Sequence, residues 1–369
     1  MLPLDSRAPL LGSPPEVVVG RGWNEDDATI GCLAEGCERY SIFYQGAEPV
    51  VRASYQEIAG EAVHPRELLH FSERQYATRD ADGSVEETTV PIPFDDFVPV
   101  DWVKARSLTG KSRLVPAAYS YLRHFQPSHP FCFADSNGCA AGADLDSAME
   151  RGLLELIERE AAAVWWYNRL PARGLPFEAF DDEFLRHAVE PFSRNGLRVW
   201  LLQLSSDWRV PVVAAVSCAG DESSIAYAFA AGRTIDAAAR SAITELVQTI
   251  LSYGRLRARA PEDSRVAWRQ RTRLLDRPFL LPVGSVGKLS EEVACLSALL
   301  ERARELGLDV LVVDLSRPEV GVPVVRVIVP GMRPLKPRFG AGRLFELPVS
   351  LGILSSALSE ERLNSDPVL

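Results

Sequence analysis

The sequence predicts a mixed chain of the α/β (α+β) class, and three observations carry that prediction. Short apolar runs of strand character alternate with stretches of helical periodicity along the whole chain. One phrase occurs three times, each time opening a helix that mixes acidic and apolar residues. The copies lie 120 and 90 residues apart, too far for a stacked repeat.

The 369 residues are 47% hydrophobic and 24% charged, enough for one large domain or two moderate ones. A net charge of -10 argues against non-specific contact with nucleic acid or an anionic membrane. No apolar run approaches the ~20 residues that span a bilayer, and the first residues lack the pattern of a secretory signal. A cytoplasmic location is the simplest expectation. The six cysteines include no CxxC pair, so reduced thiols are expected and zinc is not.

Residues 1–15 carry four prolines and read as a flexible N-terminal arm before one domain spanning 16–369. EVVVG (16–20) reads as a strand leading into the first repeat. The polar stretch 78–91 reads as a surface hairpin turning at Asp82-Gly83. Alternation over Asp101–Tyr121 predicts strand. The second repeat helix should run on to Pro171. Strands follow at 197–205, 210–219 and 224–232, then the third helix. Residues 257–276 read as a basic, polar connector. Residues 291–308 form an amphipathic helix, and DVLVVDLS and VPVVRVIVP are two buried strands.

The repeated phrase runs Gly22–Arg39, Gly142–Arg159 and Gly232–Thr249. Counted from each glycine, Asp26, Asp146 and Asp236 fall four residues on, and Ala28, Ala148 and Ala238 six on. Glu35, Glu155 and Glu245 fall thirteen on, with Glu38, Glu158 and Gln248 three further. Each glycine should make a turn where positive φ carries no penalty, and an Asp or similar polar residue should cap the helix, as Asp146 does in the second copy. A single ExxER is an ordinary solvated ion pair. Three copies at the same offsets are different. Five glutamates (Glu35, Glu38, Glu155, Glu158, Glu245) exceed what Arg39, Arg159 and Arg240 neutralise, and unpaired carboxylates in apolar surroundings are costly. Hard cations take oxygen ligands, so the pattern points to Mg2+ and a phosphate-bearing ligand. No Walker loop supports this: LTGKS has Ala105 where the first glycine belongs.

DSNGCAAG (135–142), LLELIERE (153–160) and WWYNRLP (165–171) closely resemble the YcaO family, as do the GRG…CLAEGCERYS segment and ARSAITELVQ (239–248). DLSRPEVGVPVVRVIVPGMRP and GRLFELPVSLG are similar to its peptide-modifying members. The resemblance implies a YcaO-type fold in which three glutamate-bearing helices converge on a nucleotide–metal site beside mixed sheets. It implies ATP and Mg2+ as cofactors and backbone amides of a ribosomally made precursor peptide as substrate. In such cyclodehydratases a Cys, Ser or Thr side chain attacks the preceding amide, the oxygen is phosphorylated, and phosphate leaves to give thiazoline or oxazoline.

Carried over residue by residue, Glu35, Glu38, Glu155, Glu158 and Glu245 match the acids for metal and nucleotide. Arg21, Arg39, Arg159, Arg240, Ser136, Asn137 and Gln248 match polar positions around the phosphates. Glu155, Glu158, Arg159 and Arg240 are the catalytic set. Three positions depart from the family pattern: Arg21 replaces a lysine, Gly31 a serine, and LNSDPVL a proline-rich tail. The tail, 353–369, is still expected to reach toward the active site. The departures keep open an external nucleophile, giving thioamides or amidines, and a non-catalytic scaffold or activator. The expected partners are a leader-peptide-binding protein (winged-helix/E1-like), a flavin-dependent azoline oxidase and a second copy as homodimer.

Trp165, Trp166 and Tyr167 read as core rather than substrate-stacking residues. Cys32 and Cys139 read as packing residues rather than nucleophiles. The arginines from Arg255 to Arg277 read as a solvated face, with an acidic leader peptide as the alternative partner.

Overall fold

The computed structural model describes residues 18, 20, 25–79, 90–124, 129–286, 289 and 294–366. The expected arm at 1–15, Arg21, most of the strand at 16–20, most of the 78–91 hairpin and Pro367 lie outside the described residues.

The chain begins with α1 (Glu25–Ile42) and β1 (Val51–Ala53). Short helices α2 (Tyr55–Ile58), α3 (Arg66–Leu69) and α4 (Glu73–Ala77) lead to β2 (Val100–Ser107) and β3 (Arg113–Pro116). Then come α5 (Ala117–Ser120), β4 (Cys139–Ala141) and the long α6 (Leu145–Asn168). β5 (Ala172–Leu175), α7 (Glu183–His187), α8 (Val189–Arg194), β6 (Leu197–Leu204), β7 (Val212–Ala219) and β8 (Ala226–Ala231) follow. The last third holds α9 (Ile235–Arg259), α10 (Ser264–Arg271), β9 (Pro282–Ser285), α11 (Leu296–Glu305), β10 (Leu311–Asp314), β11 (Val324–Ile328) and α12 (Arg343–Ser350).

Contacts divide the chain into two compact units. The first comprises Met1–Leu156, Leu296–Met332 and Pro337–Ala341. Its sheet runs β1-β2-β10-β11-β4, with β3 also on β2, and every pairing is antiparallel. β11 is buried throughout, which its run VVRVI needs apart from the arginine. Ile42, Val103, Val115, Leu311, Val324 and Ile328 form the core.

The second unit comprises Ile157–Cys295, Arg333–Lys336 and Gly342–Leu369. Its sheet runs β8-β7-β6-β5-β9, antiparallel except for β5 with β9. Helix α9 lays Ala238, Ala242 and Leu246 over the small residues Ala215 and Ala228 of β7 and β8. These small side chains let helix and sheet approach closely. Trp165 and Trp166 at the end of α6 are buried among Tyr227, Phe229, Trp268 and Phe279, so they serve the core as expected.

The strands at 197–219 and 224–232, the two near the C-terminus and the three repeat helices stand where the periodicity predicts them. Three local expectations are corrected. The AAYS segment is helix α5, not strand, because it follows Pro116 at the end of β3. The connector at 257–276 contains helix α10, capped by Asp263 and buried through Val266, Trp268 and Arg269. The cap of the second copy sits two residues earlier than expected, while the third copy is capped by a polar residue as predicted. Asp144 accepts the Ser147 N–H at 2.7 Å, and Thr234 accepts the Ala237 N–H at 3.2 Å. Asp146 and Asp236 stand inside the first turn, where a negative charge meets the positive helix end.

Gly142 and Gly232 are not needed for positive φ either. At Gly142 a Cβ would lie 2.4 Å from the Ala148 nitrogen, and at Gly232 one would lie 2.6 Å from the Ala238 nitrogen. Glycine and alanine thus allow the chain to press against the helix it is about to form. Gly142→Ala is therefore expected to lower stability by about 1–3 kcal/mol in urea denaturation. Gly220→Ala, where nothing lies within 4 Å, should be close to neutral.

Candidate functional site

In the first unit, α1 and the first part of α6 bring Glu38 into electrostatic range of Glu35 and Glu155. Burial pushes the Glu38 carboxyl from its ordinary 4.5 to about 8, with Glu155 the next cause. Arg39 and a backbone hydrogen bond from Ala141 oppose the rise, and Glu35 adds to it. Arg39 stands 4.0 Å from Glu35, one helical turn away. Glu155 accepts the Gly138 N–H at 3.1 Å.

The loop carrying Ser136 and Asn137 is held by a residue that the sequence reading did not select. Asp135 accepts the Asn137 N–H at 3.0 Å and its amide Nδ2 at 2.9 Å. Arg326 of β11, wholly buried, donates to the Asp135 carbonyl at 2.6 Å and to its carboxylate at 3.3 Å. The guanidinium of Arg326 lies over the Tyr119 ring. The Ser136 carbonyl accepts the Cys139 N–H at 2.9 Å, closing the turn. The Cys139 thiol is pushed up to about 12 by burial, which suits a packing residue and not a nucleophile.

In the second unit, Glu158 pairs with Arg159 at 2.8 Å and accepts the Ala231 N–H at 3.4 Å. Glu245 and Gln248 occupy α9 three residues apart, both partly buried. Arg240 pairs with Asp182, which also caps α7 by accepting the Leu185 N–H. Glu160 is a further carboxylate that spacing did not single out. Arg343 binds it through two hydrogen bonds of 2.7 and 2.6 Å and binds Asp207 as well.

The described part of the C-terminal segment docks on the end of α6. The Arg362 and Leu363 carbonyls accept from Arg169, Asn364 donates to the Tyr167 carbonyl at 2.8 Å, and Asp366 pairs with Arg277. An open cleft of about 540 Å³ lies in this unit, lined by Arg173, Gln203, Arg209, Leu351 and Ile353 among others. None of the sequence-named site residues lines it.

Acids crowded on helices, with oxygen atoms as donors and no phosphate loop, define a carboxylate-rich α+β protein suited to a hard cation. The comparisons make the class particular. The family model of the YcaO cyclodehydratase, ATP- and Mg2+-binding, matches residues 19–333, and the chain belongs to this family. A heterocyclase solved in complex with substrate and cofactor is 32% identical, with a TM-score of 0.88, covering 95% of this chain and 49% of that one. The heterocyclase TruD is 33% identical, with a TM-score of 0.80, covering 93% and 50%. YcaO from Methanopyrus kandleri, bound with AMPPCP and Mg2+, is 25% identical, with a TM-score of 0.62, covering 85% and 78%. The chain thus spans about half the length of the two heterocyclase chains.

ATP and Mg2+ are the cofactors of the family. The residues present fit them. Burial first, and then the charges of Glu155 and Glu35, raise the affinity of Glu38 for a proton, and a divalent cation would relieve the same repulsion. Among the described residues no three acidic, His or Cys side chains form a ready-made cage. Mg2+ itself keeps waters and takes one or two carboxylates together with phosphate oxygens. No helix among the described residues is long and apolar enough to cross a membrane.

Two outcomes follow from this geometry. The native state holds the Glu38 proton at pH values where the unfolded chain has already released it, so stability falls as pH rises from about 4.5 to about 8. Thermal melts in chelator should show this slope, and Glu38→Gln should flatten it. Asp135→Asn leaves the Arg326 guanidinium buried without its counter-charge, and should cost about 3 kcal/mol in chemical denaturation.

Proposed function

We propose that this chain uses ATP and Mg2+ to activate backbone amides of a ribosomally made precursor peptide, forming thiazoline or oxazoline rings from Cys, Ser or Thr. The observation that carries the reading is the electrostatic crowding of Glu35, Glu38 and Glu155 on α1 and α6. The likeness to a heterocyclase in complex with substrate supports it.

ATP supplies the phosphoryl group that turns an amide oxygen into a leaving group, and Mg2+ supplies charge neutralisation there. Glu35, Glu38, Glu155, Glu158 and Glu245 are assigned to hold the metal. Arg21, Arg39, Arg159, Arg240 and Gln248 are assigned to the nucleotide, with Ser136 and Asn137 lining it. Glu155, Glu158, Arg159 and Arg240 form the catalytic set, working by position and charge. The anchoring of Glu155 on Gly138 and of Glu158 on Ala231 pre-sets both acids, so little reorganisation accompanies binding. Asp182 is assigned to orient Arg240. Leader capture is assigned to a winged-helix partner, and oxidation of azolines to a separate flavin enzyme. The C-terminal segment is assigned a place beside the site through its seat on α6.

With a cognate precursor and partner, Mg2+-dependent ATP consumption should accompany loss of one water per ring by mass spectrometry. Glu155→Gln and Glu158→Gln should each lower turnover by at least about 100-fold while circular dichroism is unchanged. Normal turnover in both variants would refute the assignment. Exchange of oxygen for sulfur, in place of water loss, would move the reaction to thioamide formation at the same residues.

A further inference from the structure

Helix α9 is buried along only half its length. Ile235, Ala238, Ala239, Ala242, Ile243 and Leu246 face the core, and no residue after Leu246 is buried. One ridge of the projecting half carries Val247, Leu251, Arg255 and Arg259, each four residues from the last and all exposed. Val247 is 42% and Leu251 65% exposed. A pair of large apolar side chains in line with two guanidinium groups is an unusual solvent face for a helix.

The charge around this ridge is opposite to that of the chain. From Arg255 to Arg277 there are eight arginines and three acids, in a protein of net charge -10. Asp263 is engaged by Arg265. Arg277 is engaged by Asp366, and Arg269 is buried over the Tyr253 ring at 4.0 Å. That stacking braces the projecting half of α9 from the side of α10. Arg255, Arg257 and Arg259 make no ion pair among the described residues.

We propose that this ridge docks an acidic amphipathic helix within the peptide substrate, leucine side chains against Val247 and Leu251 and carboxylates against Arg255 and Arg259. The four-residue spacing suits another helix, whose own ridges repeat at the same interval. The arginines supply orientation and a salt-sensitive on-rate, and the apolar pair supplies desolvated contact. That the occupant is the substrate rests on the function proposed above.

The test is fluorescence anisotropy with the full chain and no nucleotide. The probe is a labelled synthetic helix of Glu, Ala and Leu with leucines and glutamates four apart. A scrambled peptide of the same composition is the control. Arg255→Glu combined with Arg259→Glu should weaken probe binding by at least about tenfold, and raised salt should weaken the wild type several-fold. Leu251→Ser should weaken it by about fivefold. Arg257→Glu, off the ridge, should change it by less than about twofold. Equal binding of the scrambled peptide, or equal losses from Arg257→Glu and the ridge variants, would overturn the proposal. ATP turnover measured on the same variants separates the two readings. Loss of probe binding with no effect on precursor processing removes the substrate as occupant, whereas probe binding without any ATP turnover leaves the ridge standing and removes the function.

Discussion

Like charges held near one another are the constraint on which the first unit turns. Glu38 keeps its proton to about pH 8 because it is buried beside Glu155, with Glu35 also close. Left to themselves, such groups would move apart or into water. The backbone prevents it. A Cβ at Gly152 would stand 2.6 Å from the Gly138 carbonyl, and one at Gly138 would stand 2.3 Å from the Val327 carbonyl. Helix α6, the loop before β4 and β11 are therefore pressed together at two glycines. Glu155, three residues beyond Gly152, is delivered to the Gly138 N–H by that packing. The repulsion is sustained by contacts that have no charge in them, a frequent arrangement where a protein stores binding capacity.

Helix α6 also carries carboxylates with different kinds of partner. Glu160 is nearly inaccessible and gripped by Arg343 through two hydrogen bonds, with Asp207 sharing the same guanidinium. This is the paired state in which a buried acid is tolerated. Glu155 accepts a backbone N–H from Gly138, and Glu158 accepts one from Ala231 while pairing with the neighbouring Arg159. The three acids lie within two turns of one helix, so burial alone does not sort them. Their partners do.

Much of this was legible in the chain. The strands β6, β7 and β8, the pair β10 and β11, and the helices α6 and α9 follow from periodicity, because long apolar runs and 3.6-residue patterns are the strongest local signals. The common offsets of the repeat singled out Glu35, Glu38, Glu155, Glu158 and Glu245, and in the first unit Glu38 lies within electrostatic range of Glu155 and Glu35. Other parts were not legible, and the reason is the distance along the chain. Asp135 is important because Arg326 meets it from a strand 191 residues later. Asp182 and Asp207 are ordinary surface-like acids in sequence until Arg240 and Arg343 reach them. Helix α10 was hidden by its arginines, since the pattern of charge masked Val266 and Trp268. The second-copy cap was misplaced because Asp144 and Asp146, two residues apart, look alike until the hydrogen bond from Ser147 separates them.

The glycine and alanine six residues apart carry a message different from that of the glutamates. They answer to shape, since Gly142 and Gly232 lie against the nitrogens of Ala148 and Ala238. The acids answer to chemistry. Selection can act on these two features independently. A helix of this kind that kept the small pair and lost its carboxylates would persist as architecture alone.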